Sequence, residues 1–325
     1  MMISIEELQE KIAHSLKQLP IYKEPAGLYE PISYTLEQGG KRLRPLLTLI
    51  STQMFGGDPD KALPAAVAIE IFHNFTLLHD DIIDQAPLRR GRETVYKKWN
   101  NNTAILSGDT MFAIAYGQLA KSDPEKLPGL MKVFTKTAIE VCEGQQYDID
   151  FEESDDVSIE GYVNMIRLKT AVLLAASLKI GALIAGATDD DAERIYNFGE
   201  NLGIAFQLQD DLLDAFGDED VFGKKTGGDI VSNKKTYLYL SALQQATPED
   251  AEKLKLLFSS RNTNDDEKVA EVLEIFRHSG IEALTNEKIL AYYKNAMNFL
   301  NDIRLTEKAL EPLTKLASGM LKRKF

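Results

Sequence analysis

Apolar residues recur at helical spacing along nearly the whole chain. Near the start, Ile5, Leu8, Ile12, Leu16 and Leu19 follow the period of about 3.6 residues that marks one face of an α-helix. No stretch alternates apolar and polar residues for more than about five positions, so strand signals are almost absent. The pattern therefore predicts an all-α protein.

Three segments, 62–78, 171–187 and 196–213, are apolar on most of their helical faces. Helices that are buried all round belong at the centre of a large bundle. Asp189 and Pro248 stand where helices are expected to begin, Pro248 at the first helical position. No linker divides the chain into two compact halves. We therefore expect residues 1–325 to form a single all-α domain, a large helical bundle.

The most informative motif is Asp-Asp-x-x-Asp, which occurs twice, each time at the end of an apolar run. Residues four apart lie on one face of a helix, so the first and last aspartates of each copy would point the same way. The pairs between them, Ile82–Ile83 and Leu212–Leu213, are expected to face into packing. Such stacked carboxylates need a cation, and hard oxygen ligands suit Mg²⁺. The candidate ligands are Asp80, Asp81 and Asp84 in the first copy and Asp210, Asp211 and Asp214 in the second.

For a single copy, a solvated acidic helix face would be an equally good interpretation. Two copies in apolar surroundings favour a site that holds Mg²⁺ and a diphosphate. Such a site needs basic residues around it, because Arg binds phosphate bidentately and Lys acts as a point charge. The candidates lie in 39–45, with Lys41, Arg42 and Arg44; in 89–92, with Arg89 and Arg90; at Lys169, before Thr170; and in 223–235, with Lys224, Lys225, Lys234 and Lys235.

Other chemistries find less support in the sequence. Glu70 and His73 form a Glu-x-x-His pair, but a carboxylate-bridged di-iron bundle needs a second such pair, which the sequence lacks. His73 could instead hydrogen-bond an anion or be a satisfied core histidine. We find no Ser-His-Asp set, Walker-type loop or dinucleotide fingerprint. The chemistry should therefore be driven by metal and electrostatics.

Composition narrows the partners. The chain has 325 residues, is 44% hydrophobic and carries a net charge of −13. That charge argues against nucleic-acid binding and against adhesion to anionic membranes. One cysteine, Cys142, excludes a Cys-based zinc site. The first residues lack a signal-peptide core, and the longest apolar stretch, 180–187, is far short of the about 20 residues of a membrane span. We expect a soluble, cytoplasmic protein without a membrane span.

These motifs, in this order and spacing, resemble the trans-prenyl diphosphate synthase (polyprenyl synthetase) family. The matching blocks cover about residues 36–240, and the rest of the chain matches only as generic helices. Two Asp-Asp-x-x-Asp motifs together with a Gly-Lys-Arg-x-Arg-Pro block make a specific signature. The blocks are 40–45, 79–84, 88–91, 169–170 and 206–214, followed by Gly223-Lys224 and Asn233-Lys234.

The resemblance implies the isoprenoid-synthase fold with a deep central cavity, usually in a homodimer. It implies three Mg²⁺ per active site, held by the two Asp motifs, which would face each other, on the diphosphate of an allylic substrate. It also implies the roles of individual residues. Arg89, Lys169, Lys224 and Lys234 would contact that diphosphate; Lys41, Arg44, His73 and Arg90 would bind isopentenyl diphosphate; Thr170 and Gln207 would lie near the developing cation.

The implied reaction condenses isopentenyl diphosphate with an allylic diphosphate by ionisation, condensation and elimination. Metal and basic residues stabilise the charge that builds on the leaving diphosphate. The double bond of isopentenyl diphosphate, held nearby, attacks the allylic carbocation. The released diphosphate is the expected proton acceptor, since no strong side-chain base is evident, and the apolar helices would exclude water.

The product is expected to be short, C15 or C20. Thr76 and Phe75 stand four and five residues before Asp80, about one turn deeper on that helix. In the family, a bulky aromatic residue at the position of Phe75 tends to act as the floor of the product cavity. The first motif also lacks the two-residue insertion of some short-chain bacterial members. The alternatives are a longer-chain polyprenyl diphosphate synthase and a non-catalytic partner subunit; a terpene cyclase would usually carry a different second metal motif.

Overall fold

The computed structural model describes residues 3–154, 156–217, 226–259 and 264–321. Nearly all of the regular structure in these ranges is helical, which confirms the predicted all-α fold. The helices are α1 (Ile5–Lys17), α2 (Ala26–Glu37), α3 (Leu43–Met54), α4 (Pro59–Ile83), α5 (Val95–Lys98), α6 (Asn101–Leu119), α7 (Leu127–Glu153), α8 (Ile159–Ile166), α9 (Val172–Ala185), α10 (Asp189–Phe216), α11 (Gly228–Val231), α12 (Tyr237–Gln245), α13 (Pro248–Ser259), α14 (Asp265–His278), α15 (Ile281–Asn301) and α16 (Glu307–Leu321). A π-helix, Arg167–Ala171, joins α8 to α9, and two short strands, β1 (Leu88–Arg89) and β2 (Arg92–Glu93), follow α4.

Local sequence explains where several helices begin. The Ser4 side chain accepts a hydrogen bond from the Glu7 backbone, and the Glu7 carboxylate accepts one from the Ser4 backbone, which is a capping box for α1. Asp58 caps α4 ahead of Pro59 at the first helical position. Helices α10 and α13 begin at Asp189 and Pro248, as the sequence predicts.

The chain divides into two compact units. The first comprises Met1–Thr135 and Ala176–Glu193, and the second comprises Lys136–Ala175 and Arg194–Phe325. The expectation of a single domain over residues 1–325 stays a prediction.

Helix α4 forms the core of the first unit. It packs against α3 and α6, and most of its residues from Ala62 to Leu78 are buried. Phe72 is fully buried and lies against Phe112 of α6 and Phe134 of α7. Segment 62–78 is therefore buried on most faces, as its apolar sequence predicts. The helix carries the first Asp motif at its carboxyl end.

The core of the second unit is built around α8, α10, α12 and α14. Its buried members include Leu208 and Leu212 of α10, Leu238 of α12 and Phe276 of α14. Leu213 is buried as well, so the predicted inward orientation of the Leu212–Leu213 pair is confirmed. This packing fixes the face of α10 that carries the second Asp motif.

Two helical stretches are long and apolar enough to cross a membrane, which corrects the expectation that no stretch reaches that length. They are Pro59–Ile83 and Ile159–Ala185, and 61% and 67% of their most apolar windows are buried inside the protein. The second is longer than its sequence suggests because α8 continues through the π-helix into α9. Since core helices of soluble proteins pass the same test of length and composition, neither stretch is clearly a membrane span.

Candidate active site

The first Asp motif lies in the last turn of α4. Asp81 is buried, Asp80 is half-buried, and Asp84 is the exposed residue that follows the helix. A helix carboxyl terminus is the negative end of the helix dipole, so carboxylates there call for a compensating cation. The prediction that Ile83 faces into packing is wrong, because Ile83 is the last residue of α4 and its side chain is 45% exposed.

Arg89 supplies part of that compensation. Its Nε lies 2.6 Å from Asp81 Oδ1, and its Nη2 lies 3.6 Å from Asp80 Oδ2. Burial raises the pKa of Asp81 to about 6, and the charge of Arg89 opposes this increase. A predicted diphosphate contact, Arg89, is thus directly paired with predicted metal ligands.

Arg89 lies in a β-hairpin that follows α4. Strands β1 and β2 pair in antiparallel fashion, with Arg89 opposite Arg92. The turn between them, Arg90–Gly91, has positive φ at both residues, as a type I′ hairpin turn requires. The sequence interpretation missed the hairpin because its strands are too short to show an alternating pattern.

Two residues predicted to bind isopentenyl diphosphate are in direct contact. The Arg44 guanidinium donates to His73 Nε2 at 3.1 Å. Burial, followed by the positive charge of Arg44, lowers the pKa of His73 well below its usual value. Burial also lowers the pKa of Arg44 to about 10, and the carboxylate of Glu70 opposes this decrease. His73 is therefore a neutral acceptor that orients Arg44, and Glu70 lies close enough to act on the Arg44 charge.

Arg90 and the glycine loop before α3 form the other part of this basic group. The Arg90 guanidinium donates to the Gly39 carbonyl, and a Cβ on Gly40 would lie 2.7 Å from Arg90 Cζ. The next residue, Lys41, is exposed. Arg42 and Arg90 both adopt positive φ, which is uncommon for residues other than glycine and concentrates at functional sites. Gly40 thus permits the close approach of Arg90 to the glycine loop that precedes Lys41.

Phe75, the predicted floor residue, belongs to an aromatic cluster. Its ring lies 5.3 Å from that of Phe112 and 4.8 Å from that of His79, between ring centroids. The ring of Phe112 lies 5.1 Å from that of Tyr116, also of α6, and the two rings are tilted by 59°. The hydroxyl of Thr76 donates to the His73 carbonyl at 2.8 Å. Sequence reasoning could not find Phe112, because nothing in the pattern shows which face of α6 meets α4.

The second Asp motif lies in α10. Asp210 and Asp214 are half-buried, whereas Asp211 is 5% exposed. The hydroxyl of Tyr162 donates to Asp211 Oδ2 at 2.5 Å, and the amide of Gln207 donates to Oδ1 at 3.1 Å. Burial raises the pKa of Asp211 to about 8, and both hydrogen bonds oppose this increase. Each oxygen of this predicted metal ligand thus has a donor within the protein.

Lys169 and Thr170 lie in the π-helix, a rare element that is frequent at functional sites. Lys169 Nζ lies 2.6 Å from Asp148 Oδ2 of α7, and the Thr170 hydroxyl donates to Gln207 Oε1 at 3.3 Å. A Cβ on Gly144 of α7 would lie 2.3 Å from the Lys169 backbone nitrogen. Gly144 therefore allows α7 to approach the π-helix, and a glycine inside a helical pattern was the one signal that could have marked it.

A pocket in the second unit gathers most of the predicted residues that lie there. Lys234 lines it beside Asp229, whose backbone N–H donates to Asp214 Oδ2 at 2.9 Å. Sequence reasoning missed Asp148, Tyr162 and Asp229, which also line it. Lys224 and the rest of 218–225 lie outside the described residues. The lining includes Lys169, Thr170, Gln207, Asp211 and Lys234.

The carboxylates suit Mg²⁺ that takes only part of its coordination from the protein. Within the described ranges, no group of three His, Cys, Asp or Glu side chains is placed to hold a metal ion. Mg²⁺ usually binds proteins through one or two carboxylates and takes its other ligands from water and substrate phosphates. The half-buried Asp80 and Asp210 can each supply such a carboxylate. The donor set therefore suits Mg²⁺ that is shared with a phosphate-bearing ligand.

Tyr162→Phe is expected to destabilise the protein more at about pH 9 than at about pH 6. Asp211, with its pKa of about 8, is protonated at the lower pH and ionised at the higher one. The folded protein favours the protonated carboxyl, so the stability that this form contributes is lost as the pH rises through the pKa. The Tyr162 hydroxyl stabilises the ionised form, so its removal should cost about 1.5–3 kcal/mol at the higher pH and about 0.5–1.5 kcal/mol at the lower. Urea unfolding without metal measures both values.

Tyr237→Phe is the matched control for that measurement, because Tyr237 is a buried tyrosine of the same unit. Its loss of stability should be the same at both pH values. An equal loss for Tyr162→Phe at both pH values would show that the hydroxyl does not stabilise an ionised Asp211.

Comparison with known proteins identifies the family. The sequence model of the polyprenyl synthetase family matches residues 25–276. A geranylgeranyl diphosphate synthase of Methanosarcina mazei is 35% identical over 331 residues, which cover 100% of this chain and 99% of the relative. A crystal structure of a geranylgeranyl pyrophosphate synthase is 47% identical, with a TM-score of 0.94 and coverage of 100% of both chains. That of the Pyrococcus horikoshii enzyme is 36% identical, with a TM-score of 0.92 and coverage of 98% and 97%.

The solved structures confirm the predicted isoprenoid-synthase fold. Members of this family act on isoprenyl diphosphates and generally depend on Mg²⁺. Two curated relatives that are 35% identical and cover at least 98% of the chain are named geranylgeranyl diphosphate synthase and short chain isoprenyl diphosphate synthase, so neither the longer-chain synthase nor the non-catalytic subunit is favoured. The chain belongs to the polyprenyl synthetase family and is a short-chain trans-prenyltransferase.

Proposed function

We propose that this enzyme adds isopentenyl diphosphate to allylic diphosphates and releases an all-trans C20 product, geranylgeranyl diphosphate. The observation that carries the proposal is the pocket that Lys169, Thr170, Gln207 and Lys234 line together with Asp211 of the second Asp motif. Two relatives that span the chain and are named for the C20 product support its length.

The basic residues of both units have defined tasks in this proposal. Lys169 and Lys234, with Arg89 in the first unit, bind the diphosphate of the allylic substrate and stabilise the charge that builds on it. The amide of Gln207 and the hydroxyl of Thr170 present oxygen atoms to the allylic cation. Lys224, outside the described residues, is proposed to join the first group.

A second set of residues is proposed to hold isopentenyl diphosphate. Arg44, fixed by His73, offers a bidentate contact to a phosphate, and Arg90 and Lys41 add charge beside it. Holding the two substrates side by side removes much of the entropic cost of their encounter. His73, a neutral and half-buried acceptor, is proposed to position Arg44 and not to exchange protons.

Mg²⁺, when bound, would neutralise the leaving diphosphate and so promote ionisation of the allylic C–O bond. Asp80, Asp81, Asp84, Asp210 and Asp214 are proposed to hold it, with three ions per active site. Asp211 is proposed to act with them, and its bonds to Tyr162 and Gln207 keep the motif in a fixed orientation. That both motifs act on one diphosphate stays a prediction.

We propose that the enzyme works as a homodimer in the cytoplasm. Helix α6 supports an interface with a second copy, since Ile105 and Leu106 on it are 43% and 58% exposed. Light scattering after size exclusion should give twice the mass of the 36.3 kDa chain. A mass of one chain at micromolar concentration would contradict the dimer.

The proposed reaction is tested with isopentenyl diphosphate, Mg²⁺ and each allylic starter, C5, C10 or C15, with products read by mass spectrometry. We expect every accepted starter to end at C20. A product of C30 or longer would keep the reaction and refute the proposed product length. A hydrocarbon formed without elongation would point to a cyclase, and no turnover with any starter would favour a partner subunit.

A further inference from the structure

Lys268 of α14 is a buried cation outside the site described above. Lys268 is 3% exposed, and lysine is almost never buried to this degree unless it is paired. Burial lowers its pKa below the usual value. The ammonium group donates to the side-chain oxygen of Asn233 and approaches the Val231 carbonyl at 3.5 Å. Its hydrogen bonds are thus directed at the last residue of α11 and at the loop that follows it.

That loop, residues 232–236, joins α11 to α12 and is called the Lys234 loop. Asn233 within it has φ of 57°, in the left-handed region. Asn tolerates this conformation better than most residues, but it still needs surroundings that hold it there. The bond from Lys268 to the Asn233 side chain provides such a hold on the residue that immediately precedes Lys234.

The other side of Lys234 is anchored as well. Lys235 Nζ donates to the carbonyls of Phe151, Glu152 and Ser154 at 3.1, 3.2 and 2.6 Å, at the carboxyl end of α7. These are carbonyls that a helix end leaves without an internal partner. Lys234 therefore stands between two tethered neighbours and lines the pocket together with Lys169 and Asp229.

We propose that Lys268 is a positioning residue for prenyl transfer. It holds Asn233 in the left-handed conformation and thereby directs Lys234 toward the diphosphate of the allylic substrate. The inference rests on the proposed function, in which Lys234 binds that diphosphate. Lys268 acts through Asn233 and makes no contact with the substrate.

The test is a double-mutant cycle between Lys268→Met and Lys234→Ala. Met keeps the length of the side chain and removes the ammonium group. Lys268→Met alone should lower kcat/KM for the allylic diphosphate by about tenfold or more, as expected for a misplaced binding group, and leave KM for isopentenyl diphosphate near the wild-type value. In the Lys234→Ala background it should have little further effect, because the group it positions is gone.

Asn233→Gly gives a second, independent test of the role assigned to Asn233. Glycine adopts positive φ without strain, so it does not need Lys268 to hold the conformation. Lys268→Met with Asn233→Gly should therefore recover most of the activity that Lys268→Met loses. A double variant as weak as Lys268→Met alone would refute the role assigned to Asn233.

Lys253→Met is the matched control, since Lys253 of α13 pairs at 2.7 Å with Glu271 of α14 on the exposed surface. It should leave both kinetic constants unchanged. If Lys268→Met lowers the melting temperature but neither kinetic constant, or if its effect adds fully to that of Lys234→Ala, the proposal is wrong.

Amide hydrogen exchange separates this inference from the proposed function, because it needs no turnover. Lys268→Met should speed exchange in the Lys234 loop, where the Asn233 and Lys234 N–H groups bond to the carbonyls of Ile230 and Asp229. Unchanged exchange would contradict the inference even if wild type is fully active. Faster exchange together with an inactive wild type would refute the proposed prenyl transfer and still show that Lys268 stabilises the Lys234 loop.

Discussion

Asp80→Ala and Asp210→Ala should each reduce kcat by about 10²- to 10³-fold or more, the scale of losing a group that stabilises transition-state charge. Each replacement removes a half-buried carboxylate that is proposed to hold Mg²⁺ against the leaving diphosphate. The helices that carry them, α4 and α10, are buried along most of their length, so the fold should persist. Steady-state kinetics with Mg²⁺ measure the loss, and circular dichroism checks the helical content.

Matched controls lie on the same helices. Asp60 is in the first turn of α4 and pairs with Lys11, and Asp190 is in the exposed first turn of α10. Alanine at either position should leave kcat unchanged. Near-normal rates for both Asp80→Ala and Asp210→Ala would refute the assignment of the two motifs. A loss in only one variant would show that the other motif does not hold a catalytic ion.

Phe75→Ala should lengthen the product by one or more C5 units. Phe75 lies about one helical turn below Asp80, and its ring meets Phe112 and Phe72. Removal of the ring would open space in the direction in which the growing chain is proposed to extend. Mass spectrometry of the products made from the C15 starter gives the distribution directly.

Phe55→Ala is the control for Phe75→Ala. Phe55 follows α3, is half-buried like Phe75 and belongs to the same unit. Its variant should make the wild-type product. An unchanged product from Phe75→Ala would show that this residue is not the floor; a longer product from Phe112→Ala alone would assign that role to α6.

The helices and the two Asp motifs could be predicted from sequence because their signals are local. Apolar periodicity predicts a helix wherever it occurs, and the spacing of Asp210, Asp211 and Asp214 gives their placement along α10 directly. The environment of Asp211 could not be predicted in the same way. Its donor Tyr162 comes from a different helix, 49 residues away in sequence, and no local pattern records that contact.

Other features were hidden because they depend on backbone detail. The π-helix around Lys169 needs α7 to approach closely at Gly144, and the sequence shows only a glycine in a helical pattern. The hairpin after α4 depends on positive φ at Arg90 as well as at Gly91, and arginine carries no such preference. The exposed Ile83 reflects where α4 ends, which periodicity determines only to within a few residues.

In the proposed reaction, one diphosphate leaves for every C5 unit added, and only when Mg²⁺ is present. The direct measurement incubates the wild-type enzyme with the C15 allylic diphosphate and isopentenyl diphosphate, with Mg²⁺ or with EDTA, and quantifies released diphosphate and the C20 product together. We predict equal amounts of the two with Mg²⁺ and neither with EDTA. Diphosphate released without C20 product, or C20 product formed in EDTA, would contradict the account.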